Sequence, residues 1–252
     1  MVFIASVAQA DVTTSPVWSE QFVDGLNGWG KLSSAWGTEN AKTFEEQKIP
    51  GKVLRVHYPA GSLDPATMRK EWRPYGGMGF KKIVFEKSAT CAELYYRVRF
   101  PVGFDFVRGG KLPGLYGGAG NSGGRIPTGK DGFSTRYMWL SDGRGQVYAY
   151  LPTSVTYGTS IGKGQFVFIP GQWHELKQQV ILNSPGTSDG IIRVWFDKRL
   201  VVDQTDLRFR DIRELGITGV FFDTFFGGND DTWRTKVDTY VDFADFKVNS
   251  CQ

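Results

Sequence analysis

The sequence predicts an all-β protein, a β-jelly roll or two-sheet antiparallel sandwich with a concave substrate groove. Alternating apolar and polar runs recur along the 252 residues, separated by Gly, Pro, Asn and Asp. Glycine is abundant, at 32 residues, and aromatics make up 15% of the chain, a mix that favours strands and turns. Helical periodicity is nearly absent, and residues 207–215 are the best candidate for a short helical turn.

Taken in chain order, residues 53–58 alternate, so Leu54 and Val56 share one face and Arg55 and His57 the other. Residues 80–85 form the next run. In 93–100, Tyr95, Arg97 and Arg99 stand on the polar side. The glycine-rich stretch 109–132 is too irregular to be strand throughout, and loops of that length in a domain are commonly functional or mobile. Runs 133–140 and 146–151 flank a glycine-bearing loop at 141–145 and read as a hairpin. If Leu140 faces Gln146, Arg136 lies opposite Tyr150 and Met138 opposite Tyr148. Ser134, Arg136, Tyr148 and Tyr150 then share a face, and Tyr137, Trp139, Val147, Ala149 and Leu151 make the core face. Runs 165–169, 173–182, 191–196, 219–226 and 239–248 complete the set. With no linker or repeat between them, these runs predict a single domain over residues 11–252.

Residues 1–10 form a short apolar run ending in Ala8-Gln9-Ala10, which resembles a signal-peptidase site with Asp11 opening the mature chain. The segment is short and lacks a basic start, so it is either a truncated signal with a misassigned start or only a hydrophobic tail; the expected location is extracellular. No other apolar stretch reaches the roughly 20 residues of a membrane span. The net charge of +4 suits a polyanion without discriminating among polyanions. The expected partner is an acidic polysaccharide, with neither nucleic acid nor membrane, and the expected state is a monomer. Cys91 and Cys251 are the only cysteines, too few for a four-thiolate zinc site. Either they form one disulfide tying the last strand to a central one, or both stay free. His57 and His174 are the only histidines, which excludes a histidine-rich metal centre. Asp223, Asp230 and Asp231 offer oxygen ligands to a structural calcium, and a polar loop at the groove edge is the plainer reading.

Arginine forks hold carboxylates through paired bonds, and aromatic faces stack on sugar rings. Arg55, His57, Arg97, Arg99 and Ser134 are therefore candidates for binding an acidic polysaccharide. A solvated sheet face is the alternative for each strand taken alone.

The stretch from Gly109 through Lys111-Leu112-Pro113-Gly114 to Gly118 resembles polysaccharide lyase family 14, the alginate- and glucuronan-cleaving jelly rolls. Phe133-Ser134-Thr135-Arg136-Tyr137-Met138-Trp139, Tyr148-Ala149-Tyr150, and Phe225-Phe226-Gly227-Gly228 ahead of Trp233 follow in the family's order. The likeness runs from Gly51 to Val248. It implies a catalytic groove lined by Lys111, Ser134, Arg136, Tyr148 and Tyr150, four of which the hairpin already groups. Related glucuronan lyases carry a histidine where His57 stands. The 118–132 stretch departs from the family's loops, which leaves subsite shape open.

Such chemistry has a physical logic. Removing H5 beside an ionised carboxylate builds a dianion, so a fixed cation must neutralise the acid first. Arg136 is assigned that role, with Lys111 and Ser134 in support. Tyrosine moves the protons if neighbouring cations lower its phenol pKa. Tyr148 is placed nearest the scissile bond and Tyr150 orients it. Lys111 is the rival base, and the division of base and acid among Tyr148, Lys111 and His57 stays open. The expected activity is metal-independent β-elimination on a 4-linked uronate polymer, with no cofactor; mannuronate-rich alginate is the first choice and glucuronan the second. A glycoside hydrolase would need two flanking carboxylates, and no such strand motif occurs. A non-catalytic lectin-like jelly roll is the remaining alternative.

Overall fold

Alternation along the chain resolves into two antiparallel sheets packed face to face in the computed structural model, which describes residues 16–251. The signal-like segment 1–10 lies outside the described residues. In chain order the elements are β1 (Trp18–Glu20), β2 (Ser33–Trp36), β3 (Ala41–Glu45), β4 (Lys52–Tyr58), α1 (Pro65–Lys70) and β5 (Met78–Ile83). Next come β6 (Cys91–Arg99), β7 (Gly109–Gly118), β8 (Gly132–Leu140), β9 (Gly145–Tyr150) and β10 (Thr159–Ile161). The chain continues with β11 (His174–Ile181), β12 (Gly190–Phe196), β13 (Arg199–Leu207), β14 (Ile217–Phe226) and β15 (Thr239–Ser250). One sheet runs β13-β12-β11-β6-β15-β4-β3, with β1 also paired to β15. The other runs β10-β9-β8-β7-β14-β5-β2. This is the jelly-roll sandwich that the periodicity predicts.

Period-two patterning decides what lies between the sheets. In β6, Ala92, Leu94, Tyr96 and Val98 are buried while Tyr95, Arg97 and Arg99 face outward. From the other side come Tyr137, Trp139, Val147, Ala149 and Leu151, all fully buried, as the hairpin's core face requires. Aromatics dominate: Tyr96 stacks on Phe246 at 4.7 Å and Phe80 on Phe222 at 4.8 Å, each adding about 1 kcal/mol beyond burial. Polar crosslinks also span the core: Tyr58 bonds Thr224, Tyr96 donates to the Pro113 carbonyl, and Gln178 makes the most bonds. Gln178 of β11 donates to the Thr135 carbonyl at 2.8 Å and accepts from the Thr135 hydroxyl at 2.8 Å and Leu115 N at 3.3 Å. It leaves no buried amide group of its own unpaired.

Cys91 and Cys251 are joined in a disulfide, with Cα atoms 5.3 Å apart. The bond ties the start of β6 to the end of β15, which pair along their length.

Several local expectations change. The β8–β9 hairpin closes two residues tighter than the five-residue loop implies, pairing Arg136 with Tyr148 and Ser134 with Tyr150. Asp142 (φ 60°) and Gly143 (φ 73°) take left-handed conformations, and Leu140 N bonds Arg144 O at 2.6 Å, so only three residues turn the chain. Residues 207–215 form no helix. Leu207 instead ends β13, and the Asn183 side chain accepts from Phe209 N and Arg210 N while the Arg210 guanidinium donates to the Arg213 and Leu215 carbonyls, fixing the segment as an irregular loop. Among the described residues the one α-helix is α1, where the Asp64 side chain accepts from Ala66 N and Thr67 N and Pro65 opens the first turn. Residues 165–169 alternate as read, but Val167 makes only a single bridge to Arg144. The first ten residues of the glycine-rich stretch are a full strand, β7.

Candidate active site

The outer face of the β10-to-β2 sheet forms a groove of about 850 Å³. Its floor is set by pleating: residues of β8 and β9 that do not enter the core must point into it. Arg136, Met138, Gln146, Tyr148 and Tyr150 do so, and β7 adds Lys111 beside Met138 in the ladder. From β14 come Phe221, Asp223 and Phe225, and from β5 Lys81.

Lys111 is buried at 9% exposure and has no ion pair among the described residues. Its ammonium meets the Met138 thioether at 2.8 Å and lies 4.3 Å from the centre of the Tyr148 ring. A thioether is a weak acceptor, so nothing here repays the cost of a buried positive charge. Burial, then the nearby Arg136, push the Lys111 pKa well below the usual lysine range, against a smaller pull from Asp223.

Arg136 pairs through Nη1 with the Asp223 carboxylate, and both groups are buried. Its guanidinium lies 4.6 Å from the centre of the Phe221 ring, and its Nε is buried without a partner. Burial raises the Asp223 pKa, opposed by Arg136, Lys111 and Lys81. Lys81 donates to the Ala119 carbonyl at 2.5 Å and its pKa is lowered, chiefly by burial.

Tyr148 and Tyr150 meet edge to face at 5.8 Å. The Tyr150 hydroxyl accepts from Gly124 N at 2.9 Å, which pins the loop after β7 over one end of the groove. Burial raises the Tyr148 pKa, with Tyr150 adding to it; a backbone bond at Gly158 and the charge of Arg136 only partly oppose the rise. The expectation that cations would lower this phenol's pKa is thus reversed, because desolvation outweighs them.

The structure therefore brings Lys111, Arg136, Tyr148 and Tyr150 together. Ser134 sits on the same side but is fully buried, its hydroxyl donating to the Asn121 carbonyl at 2.6 Å, so it holds the loop and does not line the groove. Arg55, His57, Arg97 and Arg99 lie on the outer face of the other sheet, across the core from the groove. There Arg55 and Arg99 clamp Asp242, Arg99 also holds Glu46, and Arg97 pairs with Glu175. His57 packs against Tyr240. The acidic residues considered for calcium are engaged by protein groups: Asp223 by Arg136, Asp230 by Thr232, and Asp231 by Arg234. Among the described residues, no three His, Cys, Asp or Glu side chains stand together as a metal site. Lys81 and Phe221 are groove residues that the sequence reading did not assign, and Asp223 is one it considered only as a calcium ligand or part of a polar loop at the groove edge. The β14 run gave little signal for Phe221 and Asp223, since phenylalanines stand on both of its faces and Phe221 through Phe226 are all buried.

Residues 46–246 match the family described as polysaccharide lyase 14. No curated protein sequence matches the chain. Among solved structures, the alginate lyase of this family from Aplysia kurodai is 29% identical, with a TM-score of 0.81, over 94% of this chain and 100% of that one. The alginate lyase Aly36B, solved as a double mutant in complex with an alginate trisaccharide, is 22% identical with a TM-score of 0.75, over 96% of each chain. An endo-β-1,4-glucuronan lyase from the fungus Trichoderma reesei shares the fold at 12% identity and a TM-score of 0.65, over 94% of this chain and 96% of its own.

Proposed function

The chain belongs to polysaccharide lyase family 14 and is a polysaccharide lyase, and from that premise we propose that it cleaves 4-linked uronate polymers by β-elimination using side chains alone. Mannuronate-rich alginate is the first substrate and glucuronan the second. The observation that carries the reading is Lys111, an amine buried without an ion pair beside a phenol and a guanidinium.

The roles follow from the electrostatics. Arg136 stays protonated and meets the C6 carboxylate, so the charge that builds when H5 leaves is offset in a site shielded from water. Lys111, whose pKa burial lowers, is the base: in its neutral form its lone pair takes H5. Tyr148, with its pKa raised, keeps its proton until the 4-linked oxygen departs, then donates it. Tyr150 packs edge-on against Tyr148 and orients it. The net result is the C5–H and C4–O bonds broken, one C4–C5 double bond formed and a proton delivered to the new hydroxyl; the Lys111 ammonium then returns its proton to the neighbouring Tyr148 phenolate, which restores both groups. A hydrolase would need two carboxylates across the bond. The groove's buried carboxylate, Asp223, is already held by Arg136.

The Cys91–Cys251 disulfide supports an exported enzyme, since such bonds persist in oxidising compartments. The direct test is incubation with polymannuronate, polyguluronate and glucuronan. Ultraviolet absorbance from unsaturated uronate ends is expected, strongest with polymannuronate. New reducing ends without that absorbance would mean hydrolysis, and polymer binding without either product would mean a lectin.

A further inference from the structure

A buried carboxylate is an unexpected feature of a groove that receives a polyanion. Among the described residues, the other buried acids, Glu20, Asp242 and Asp245, lie on β1 and β15 of the opposite sheet or beside them. Of these buried acids Asp223 alone is inside the groove, whose rim Asp64 also lines, and its charge repels an incoming uronate unless it does something for the cations around it.

The backbone is shaped to bring Asp223 and Arg136 together. Arg136 is on β8 and Asp223 on β14, and β7 runs between them. At the crossing point β7 presents Gly114, which is paired with Arg136 on one side and Phe221 on the other. Having no side chain, Gly114 lets β7 lie close against β8: an added Cβ would meet the Thr135 carbonyl and the Arg136 backbone from which the guanidinium springs. On the far side, Asp223 is paired with Gly79 of β5, where an added Cβ would overlap the Asp223 carboxylate and the Trp36 ring nitrogen. Gly79 thus clears the space that the Asp223 carboxylate occupies, and Gly114 sets the backbone from which Arg136 reaches it.

We propose that Asp223 is a positioning residue of the lyase: it anchors Arg136 by Nη1 against the Phe221 ring so that Nη2 meets the uronate carboxylate already oriented. Nη2 makes no hydrogen bond to the protein among the described residues. A guanidinium fixed at one nitrogen and on one face has little freedom left to lose when substrate binds. The proposal rests on the lyase reading above. Asp223 also adds a negative charge to the site, facing Lys81 of β5, Lys111 of β7 and Arg136 of β8, with Tyr148 of β9 beyond Lys111. That charge favours the protonated form of Lys111.

The test is Asp223→Asn, which keeps the shape and removes the charge, assayed beside wild-type enzyme on the three uronate polymers. The expected result is a roughly hundredfold fall in kcat with a smaller rise in KM. The acid limb of the pH profile moves to lower pH, because loss of an anion makes Lys111 easier to deprotonate. In an Arg136→Lys background, Asp223→Asn should cost little more, since Asp223 acts through the arginine. A kcat within about twofold of wild type, or costs that simply add across the two backgrounds, overturns the positioning role. If Asp223→Asn does not fold, Gly79→Ala displaces the carboxylate and keeps its charge; wild-type kcat in that variant overturns the proposal equally. Absence of unsaturated product from wild-type enzyme on every polymer overturns the elimination chemistry itself, a result distinct from a normal wild type with an unaffected variant.

Discussion

Burial moves Lys111 and Tyr148 in opposite directions on the pH scale, because lysine is charged when protonated and tyrosine when deprotonated. A lysine base must be neutral, so kcat/KM should rise with pH through a group titrating below the usual lysine range. A tyrosine acid must be protonated, so the fall should come only above the usual tyrosine range. A pH–rate profile on polymannuronate checks both limbs. Lys111→Arg should abolish turnover at every pH, since guanidinium never supplies the lone pair. Tyr148→Phe removes the proton and keeps the ring: turnover should fall by roughly 10² to 10⁴, while calorimetric binding of an alginate oligosaccharide stays near wild type. At this scale the alternation grouped Arg136, Tyr148 and Tyr150, because their two strands are joined by one short turn, whereas Lys111, on β7, entered only through the family resemblance. It misplaced Arg55, His57, Arg97 and Arg99 because alternation reports which face of a strand is polar, not which sheet the strand joins. Asp223 lies 87 residues from Arg136, too far for local spacing to connect them.

The β8–β9 hairpin shows how tolerant face assignment is. Its register differs by two residues from the expected one, and an even error leaves every side chain on its own side. A one-residue error would have sent Arg136 into the core. β7 was harder to see, since Gly109, Gly110, Gly114, Gly117 and Gly118 offer no period-two pattern. Strands β1, β2 and β10 are only three or four residues long, and β13 is largely exposed at a sheet edge. At Gly114 an added Cβ would collide with the Thr135 carbonyl and the Arg136 backbone. Gly114→Ala should therefore destabilise the protein by about 1–3 kcal/mol and reduce activity by more than that loss explains. Denaturant melts and kcat at a temperature where the variant is fully folded separate the two effects.

For the molecule as a whole, period-two runs and glycine punctuation were enough to give the sandwich, because burial on one face of a strand leaves its mark in every run. Strand order was not legible, since β14 inserts between β7 and β5, and β15 between β6 and β4, across long stretches of chain. The Cys91–Cys251 bond spans 160 residues and staples two such distant partners. Replacing both cysteines by serine should lower stability by about 3–5 kcal/mol, read from chemical denaturation. Activity under native conditions should survive, because the bond lies in the sheet that does not carry the groove.

The place of β15 also dictates when this protein can become itself. Of the described strands it is the last to leave the ribosome, and it fills the middle of its sheet. Until it arrives, β4 and β6 hold an empty slot with bare amides on both rims, the kind of template that recruits a stranger's strand. Nascent chains halted after β14 should therefore be digested readily by proteases, and resistance should appear only once residues 239–250 have emerged.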